Sequence, residues 1–117
     1  MIKLKDLILK ENYIDNDWNV GQRYIDWDVL VYVQNMHAGF GDDHRIHGYF
    51  DCLLMNPKNI PESQYMIDDD KVNDMAKLET NFPPIVVDKN LDIIDGGHRL
   101  AAAVLRGDTK IRVLKQV

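Results

Sequence analysis

Asp95, Gly96, Gly97, His98 and Arg99 stand together in the run Ile93-Ile94-Asp95-Gly96-Gly97-His98-Arg99-Leu100-Ala101-Ala102, and their types suit the binding of an anion. Two glycines mark the point where an apolar run gives way to an Ala/Leu-rich stretch, which reads as a strand led into a helix N-terminus. At such a junction unpaired backbone N–H groups and the positive end of the helix dipole face outward, and glycine lets a phosphate approach closely. His98 and Arg99 fall in the first helical turn, where they add side-chain donors.

The elements that must hold this turn can be read outward from it. Pro83-Pro84-Ile85-Val86-Val87 and Leu91-Asp92-Ile93-Ile94 flank a polar Asp88-Lys89-Asn90 turn and predict a hairpin whose entry the prolines stiffen. Beyond the glycines, Leu100 to Arg106 predicts a helix stopped by Gly107, and residues 110–114 alternate as a last strand with Ile111 and Val113 inward and Lys110, Arg112 and Leu114 on the other side. Upstream, Asp68-Asp69-Asp70 suits the start of a helix over residues 69–79, its apolar side made by Val72, Met75 and Ala76 with Leu78 near it.

The first half carries weaker patterns. Residues 1–9 predict a short strand passing into a turn or helix, and residues 11–21 a polar loop with Tyr13, Ile14 and Trp18 as anchors. Asp26 to His37 alternates at Val29, Val31 and Val33 as a strand would, yet Gly39 and Gly41 supply stops for a helix whose apolar face is Leu30, Val33 and His37 with Val29 and Met36 beside it. The helix is favoured, with Asp26 as its cap. Tyr49 to Met55 is an apolar run for a buried strand or short helix, ended by Asn56-Pro57, and Cys52 within it suits a small core residue better than a nucleophile.

Asp42, Asp43, His44 and His47 include two imidazoles three residues apart beside carboxylates, a set that folded compactly would ligate a transition metal and otherwise is a solvated loop or pocket rim. No second ligand pair at a diagnostic spacing follows it.

Composition bounds the reading. The 117 residues suit one domain, 45% of them are hydrophobic, and the net charge of −5 opposes a surface that holds nucleic acid mainly by neutralising phosphates. One cysteine excludes an internal disulfide framework and fits a reducing compartment. Without a long apolar run or a cationic leader, neither membrane insertion nor secretion is expected, and the expected compartment is the cytoplasm of a bacterial cell or a phage-infected host.

Residues 65–114 resemble the core of the ParB/sulfiredoxin-like superfamily, in which a helix precedes a Pro-Ile-Val-Val hairpin, a glycine-rich turn ending in His-Arg or Arg-Arg, an alanine-rich helix and a closing strand. The resemblance implies an α+β fold in one compact domain over residues 1–117, a mixed small sheet with packed helices. Its core would span about residues 50–115, with an N-terminal extension or insertion over about 11–48. It also implies a nucleotide site in which the turn and helix hold phosphates. Where sulfiredoxins place a catalytic cysteine this chain has Gly97, so sulfinic acid repair is not expected. Segregation ParB proteins carry a glutamate and further arginines in the turn, where this chain has Gly97, His98 and Ala101, and continue into a helix-turn-helix domain that is not expected after Val117, so a segregation clamp is not expected. The Asp-Gly-x-His-Arg pattern is similar to that of superfamily members acting as small-molecule kinases and of phage-encoded or mobile-element proteins.

The leading expectation is therefore a nucleotide-dependent phosphotransferase acting on a hydroxyl of a small molecule or a modified DNA base. Gly96, Gly97, His98 and Arg99 would cradle the phosphates of ATP, ADP or CTP, with the planar fork of Arg99 the strongest single ligand. Asp95 would support Mg2+ or the acceptor hydroxyl, unless it merely caps the helix, and His98 would act with it or shape the turn as a structural imidazole. Trp18, Arg23, Tyr24, His44 and Arg45 are the candidates for an acceptor pocket. The alternatives are a non-catalytic nucleotide- or nucleic-acid-binding module and a nuclease, the latter without a convincing carboxylate cluster outside Asp68 to Asp70.

Overall fold

The β-branched runs on either side of Asp88-Lys89-Asn90 do form paired strands, and the rest of the fold is built outward from them. A computed structural model describes residues 18–37, 41, 43–62 and 67–117. In chain order it contains strand β1 (Arg23–Ile25), helix α1 (Asp26–Met36), strand β2 (Tyr49–Met55), a 3-10 turn (Pro57–Asn59) and helix α2 (Asp69–Ala76). Strands β3 (Ile85–Val87) and β4 (Ile93–Asp95), helix α3 (Gly97–Arg106) and strand β5 (Ile111–Gln116) follow. The predicted strand over residues 1–9, the anchors Tyr13 and Ile14, and Asp42 of the loop cluster lie outside the described residues.

The five strands form one mixed sheet in the order β1-β2-β5-β3-β4. Every neighbouring pair is antiparallel except β3 with β5, which run parallel. With helices packed on it, this is the predicted α+β class. Residues 23–36 add an edge strand and a helix to that same sheet, and β1 is an element the sequence pattern did not reveal.

Helices cover both faces of the sheet. Phe50, Cys52, Val86, Ile94 and Leu114 pack with Val29, Tyr32 and Val33 of α1, while Ile85, Val87 and Val113 pack with Leu100 of α3. A strand presents alternate residues to opposite faces, so the consecutive pair Val113 and Leu114 is buried on both sides at once. This corrects the expectation that Leu114 lies away from the core.

Helix α1 settles the helix-or-strand ambiguity of its segment, but its buried stripe is Val29, Tyr32 and Val33. The expected face of Leu30, Val33 and His37 is thus rotated: Leu30 is partly buried and His37 emerges as the C-terminal capping residue. Asp26 is the first helical residue and not the cap, and its Oδ2 accepts from the Gly48 N–H at 3.0 Å, tying the helix start to the approach of β2.

Helix α2 begins as predicted, with Asp68 Oδ1 accepting from the N–H groups of Asp70 (3.0 Å) and Lys71 (3.3 Å). It stops at Ala76, short of the expected Glu79. The Arg106 guanidinium takes the carbonyls of Leu78 and Thr80, each at 2.9 Å, and lies 4.0 Å from the centre of the Phe82 ring, which draws the chain off the helical path. Leu78 is left 51% exposed. Val72 and Phe82 pack against Ala102 and Ala103, so α2 rests on α3 through small residues that permit close approach. Among the described residues no helix is long and apolar enough to cross a membrane.

Candidate functional site at the glycine turn

The turn is held from its strand side by a closed polar loop. Asp88 Oδ1 accepts from the N–H groups of Asn90 (2.8 Å) and Asp92 (3.0 Å), and Asp88 N–H donates to the Asp92 carbonyl at 2.9 Å. This pins the β3–β4 hairpin and sets where β4 delivers Asp95.

Gly96 then turns the chain with φ +107° and ψ 24°, a left-handed conformation in which L side chains are strained. A Cβ at this position would lie 2.6 Å from Ile85 Cγ2 and 3.0 Å from Arg99 Nη2, so glycine is required by space as well as by conformation. As the N-terminal cap of α3, Gly96 offers no side-chain bond to the first turn. The first intrahelical bond runs from Leu100 N–H to the Gly96 carbonyl at 2.9 Å, and the N–H groups of Gly97, His98 and Arg99 precede it. The strand thus passes into the helix through Gly96 and Gly97 at the place the sequence predicts.

Arg99 departs from its expected use as a free phosphate fork. Its side chain is only 6% exposed. Nη2 donates to Asp95 Oδ2 at 2.7 Å, while Nη1 lies 2.7 Å from the Pro84 carbonyl, 3.0 Å from the Tyr32 hydroxyl and 3.1 Å from the Pro83 carbonyl. The guanidinium therefore ties α1, the proline segment and β4 to the start of α3. Tyr32 completes the knot by donating to the Pro84 carbonyl at 2.5 Å, and burial pushes its phenol up to about 12.

Asp95 is likewise engaged at both oxygens. Oδ2 takes Arg99, and Oδ1 lies 2.7 Å from His37 Nε2. The carboxylate is 9% exposed, whereas the His37 side chain is 45% exposed at the end of α1. With both oxygens turned to protein partners, Asp95 does not suit the expected Mg2+ ligand, and among the described residues no three His, Cys, Asp or Glu side chains are grouped to hold a metal ion. Nor is Asp95 the cap of α3: that residue is Gly96, and the Asp95 oxygens go to Arg99 and His37.

His98 reaches sideways rather than outward. Its Nε2 accepts from the Asp68 N–H at 3.1 Å, linking the first turn of α3 to the cap of α2. This is the turn-shaping role among those the sequence left open.

A cavity of about 380 Å³ opens over the turn, lined by Asp95, Gly96, Gly97 and His98 with His37 and Lys71 from the two flanking helices. Its charged and titratable lining is thus His37, Lys71, Asp95, His98 and the buried Arg99. Lys71 and His37 were not legible as site residues: each comes from a helix far away in sequence, and His37 falls in an apolar register. A polar residue at the end of such a stripe was the one signal present.

The residues expected to form an acceptor pocket do not line this cavity. Trp18 is 6% exposed and packs edge-on against Tyr24 and Tyr32, with ring centres 4.6 and 4.9 Å away. Arg23 pairs with Asp51 at 2.7 Å across β1 and β2, and each holds the other in its charged form. Arg45 pairs with Asp43 at 2.7 Å and keeps that carboxyl below its ordinary range, so Asp43 is committed to an ion pair, and His44 is exposed beside it. These residues serve the loop and the sheet edge.

No family model and no curated protein matches this chain. It is similar to a solved Pnob8-like ParB-N domain, at 19% identity and a TM-score of 0.46, over 56% of this chain and 29% of that one. The chain thus aligns with under a third of that protein's length.

Proposed function

We propose that the chain binds a nucleotide by its phosphates at the Asp95–Arg99 turn and transfers a phosphoryl group from it to a hydroxyl acceptor, a small molecule or a modified DNA base. The observation that carries the binding part is the cavity itself: it lies over uncapped first-turn N–H groups of α3, beside an exposed Lys71. Backbone donors and the helix dipole suit phosphate oxygens, glycine admits them closely, and a lysine adds a mobile positive charge. In this reading Gly96 and Gly97 form the cradle, Lys71 neutralises charge, and Arg99 fixes the turn from behind instead of touching the ligand. The resemblance of the Asp-Gly-x-His-Arg turn to a phosphate-holding motif supports the same reading. The nucleotide is ATP, ADP or CTP, and a divalent ion would accompany it as counter-ion; no step is assigned to a protein-held Mg2+, which Asp95 does not suit.

A non-catalytic nucleotide- or nucleic-acid-binding module is the second reading, favoured by the engagement of both Asp95 oxygens within the protein. Thermal shift of the full chain with ribonucleoside di- and triphosphates plus Mg2+ tests the shared part. A shift that Lys71→Glu weakens about tenfold in apparent affinity is expected, since the substitution reverses a charge on an exposed helical site. No shift with any nucleotide overturns the phosphate site, and binding without phosphate release or transfer favours the module.

A further inference from the structure

Asp95 and His37 form a pair that binding alone does not require. The carboxylate is buried and braced by Arg99, and the imidazole it bonds stands at the rim of the cavity. A carboxylate oxygen at 2.7 Å from Nε2 can only accept, so the Nε2 proton is held on that side, and in its neutral form such a ring has Nδ1 as its proton acceptor. Arg99 prevents Asp95 from rotating away, because the same guanidinium is anchored on two proline carbonyls and a tyrosine hydroxyl. Nucleophile activation needs this arrangement: a base at the rim, oriented by a third group held in the fold.

We infer that His37 is the proton-accepting catalytic residue of this site and that Asp95 is its positioning residue. The inference rests on the phosphotransferase reading and adds the group that reading lacks. An acceptor hydroxyl gives its proton to His37 Nδ1 as its oxygen forms a bond to the terminal phosphorus of a nucleoside triphosphate. The bond from that phosphorus to the bridging oxygen breaks, and the nucleoside diphosphate leaves with the electron pair. His37 then returns the proton to solvent. With water as acceptor the products are inorganic phosphate and nucleoside diphosphate.

The distinction from a structural role is read in catalysis and rescue. The full chain, His37→Gln and His37→Ala are compared for thermal shift with ribonucleoside triphosphates plus Mg2+ and for phosphate release into water. His37→Gln is expected to keep the shift and KM of the parent and to lose about 100-fold in kcat, the scale of a positioned base. Added imidazole is expected to restore part of the release in His37→Ala and to leave the parent unchanged. Unaltered kcat in His37→Gln, or a parent that binds nucleotide yet turns over none, overturns this assignment while the phosphate site stands. A parent that shows no shift with any nucleotide overturns the phosphate site, and this assignment with it.

Discussion

Arg99 and Asp95, four residues apart across the turn from β4 into α3, form an ion pair at 2.7 Å with both side chains less than a tenth exposed. The residue whose type most strongly advertised phosphate binding is thereby a fixture of the fold. Its pairing explains why Asp95 holds one orientation and offers its other oxygen to His37.

Removing the guanidinium strips Oδ2 of a buried carboxylate of its cationic partner, leaving only His37 on Oδ1, and takes a donor from the Pro83 and Pro84 carbonyls. Arg99→Ala should destabilise the fold by about 3–5 kcal/mol in urea denaturation. Arg99→Lys should recover only part of this, because one ammonium cannot reach Asp95 and the proline carbonyls together. Full stability in Arg99→Lys would contradict the bridging role.

Gly96→Ala combines left-handed strain with a contact to the Ile85 side chain that no rotation relieves. We expect a loss of about 3 kcal/mol, measured by denaturant midpoint. Ile85→Val in the same background should not rescue it, since valine keeps both the Cβ at 2.9 Å and the Cγ2 methyl at 2.6 Å.

Tyr32 gives a prediction in pH. Burial raises its phenol to about 12, so the folded state keeps the proton after the unfolded chain has lost it near its ordinary value of 10. Above that value the unfolded state binds fewer protons, and stability falls with rising pH. The contribution is complete below pH 10 and is lost between pH 10 and 12. The difference in unfolding free energy between the parent and Tyr32→Phe should narrow across that window; a constant difference would contradict the buried, protonated phenol.

Asp68 caps α2 while its backbone N–H donates to His98. Asp68→Ala should cost about 1 kcal/mol and Asp68→Asn only a few tenths, by thermal or urea unfolding. An equal loss in both would indicate that charge, not capping geometry, is what matters there.

Local pattern revealed much of this molecule. The hairpin around Asp88, the glycine turn, the alanine-rich helix stopped at Gly107 and the aspartate start of α2 each follow from nearest-neighbour chemistry, because turns, caps and left-handed glycines are decided within a few residues. Strand β1 was hidden: three residues with an exposed, intermediate, exposed pattern carry no periodicity of their own, and pairing with β2 makes them a strand. The end of α2 has no local signal, because Arg106, 28 residues beyond Leu78, takes the Leu78 and Thr80 carbonyls.

The sequence by itself determined that the strand-to-helix turn at Asp95–Arg99 exists, since glycine type and the helix start dictate it. Tertiary structure decided what each side chain there does. It brought Tyr32, His37 and Lys71 from two other helices to the turn, directed Arg99 inward onto Asp95, and left Trp18, Arg23, Tyr24, His44 and Arg45 away from the cavity. The physical reason is that a guanidinium or carboxylate takes its role from the acceptors and donors packed around it, and those arrive from segments whose distance along the chain leaves no trace in local pattern.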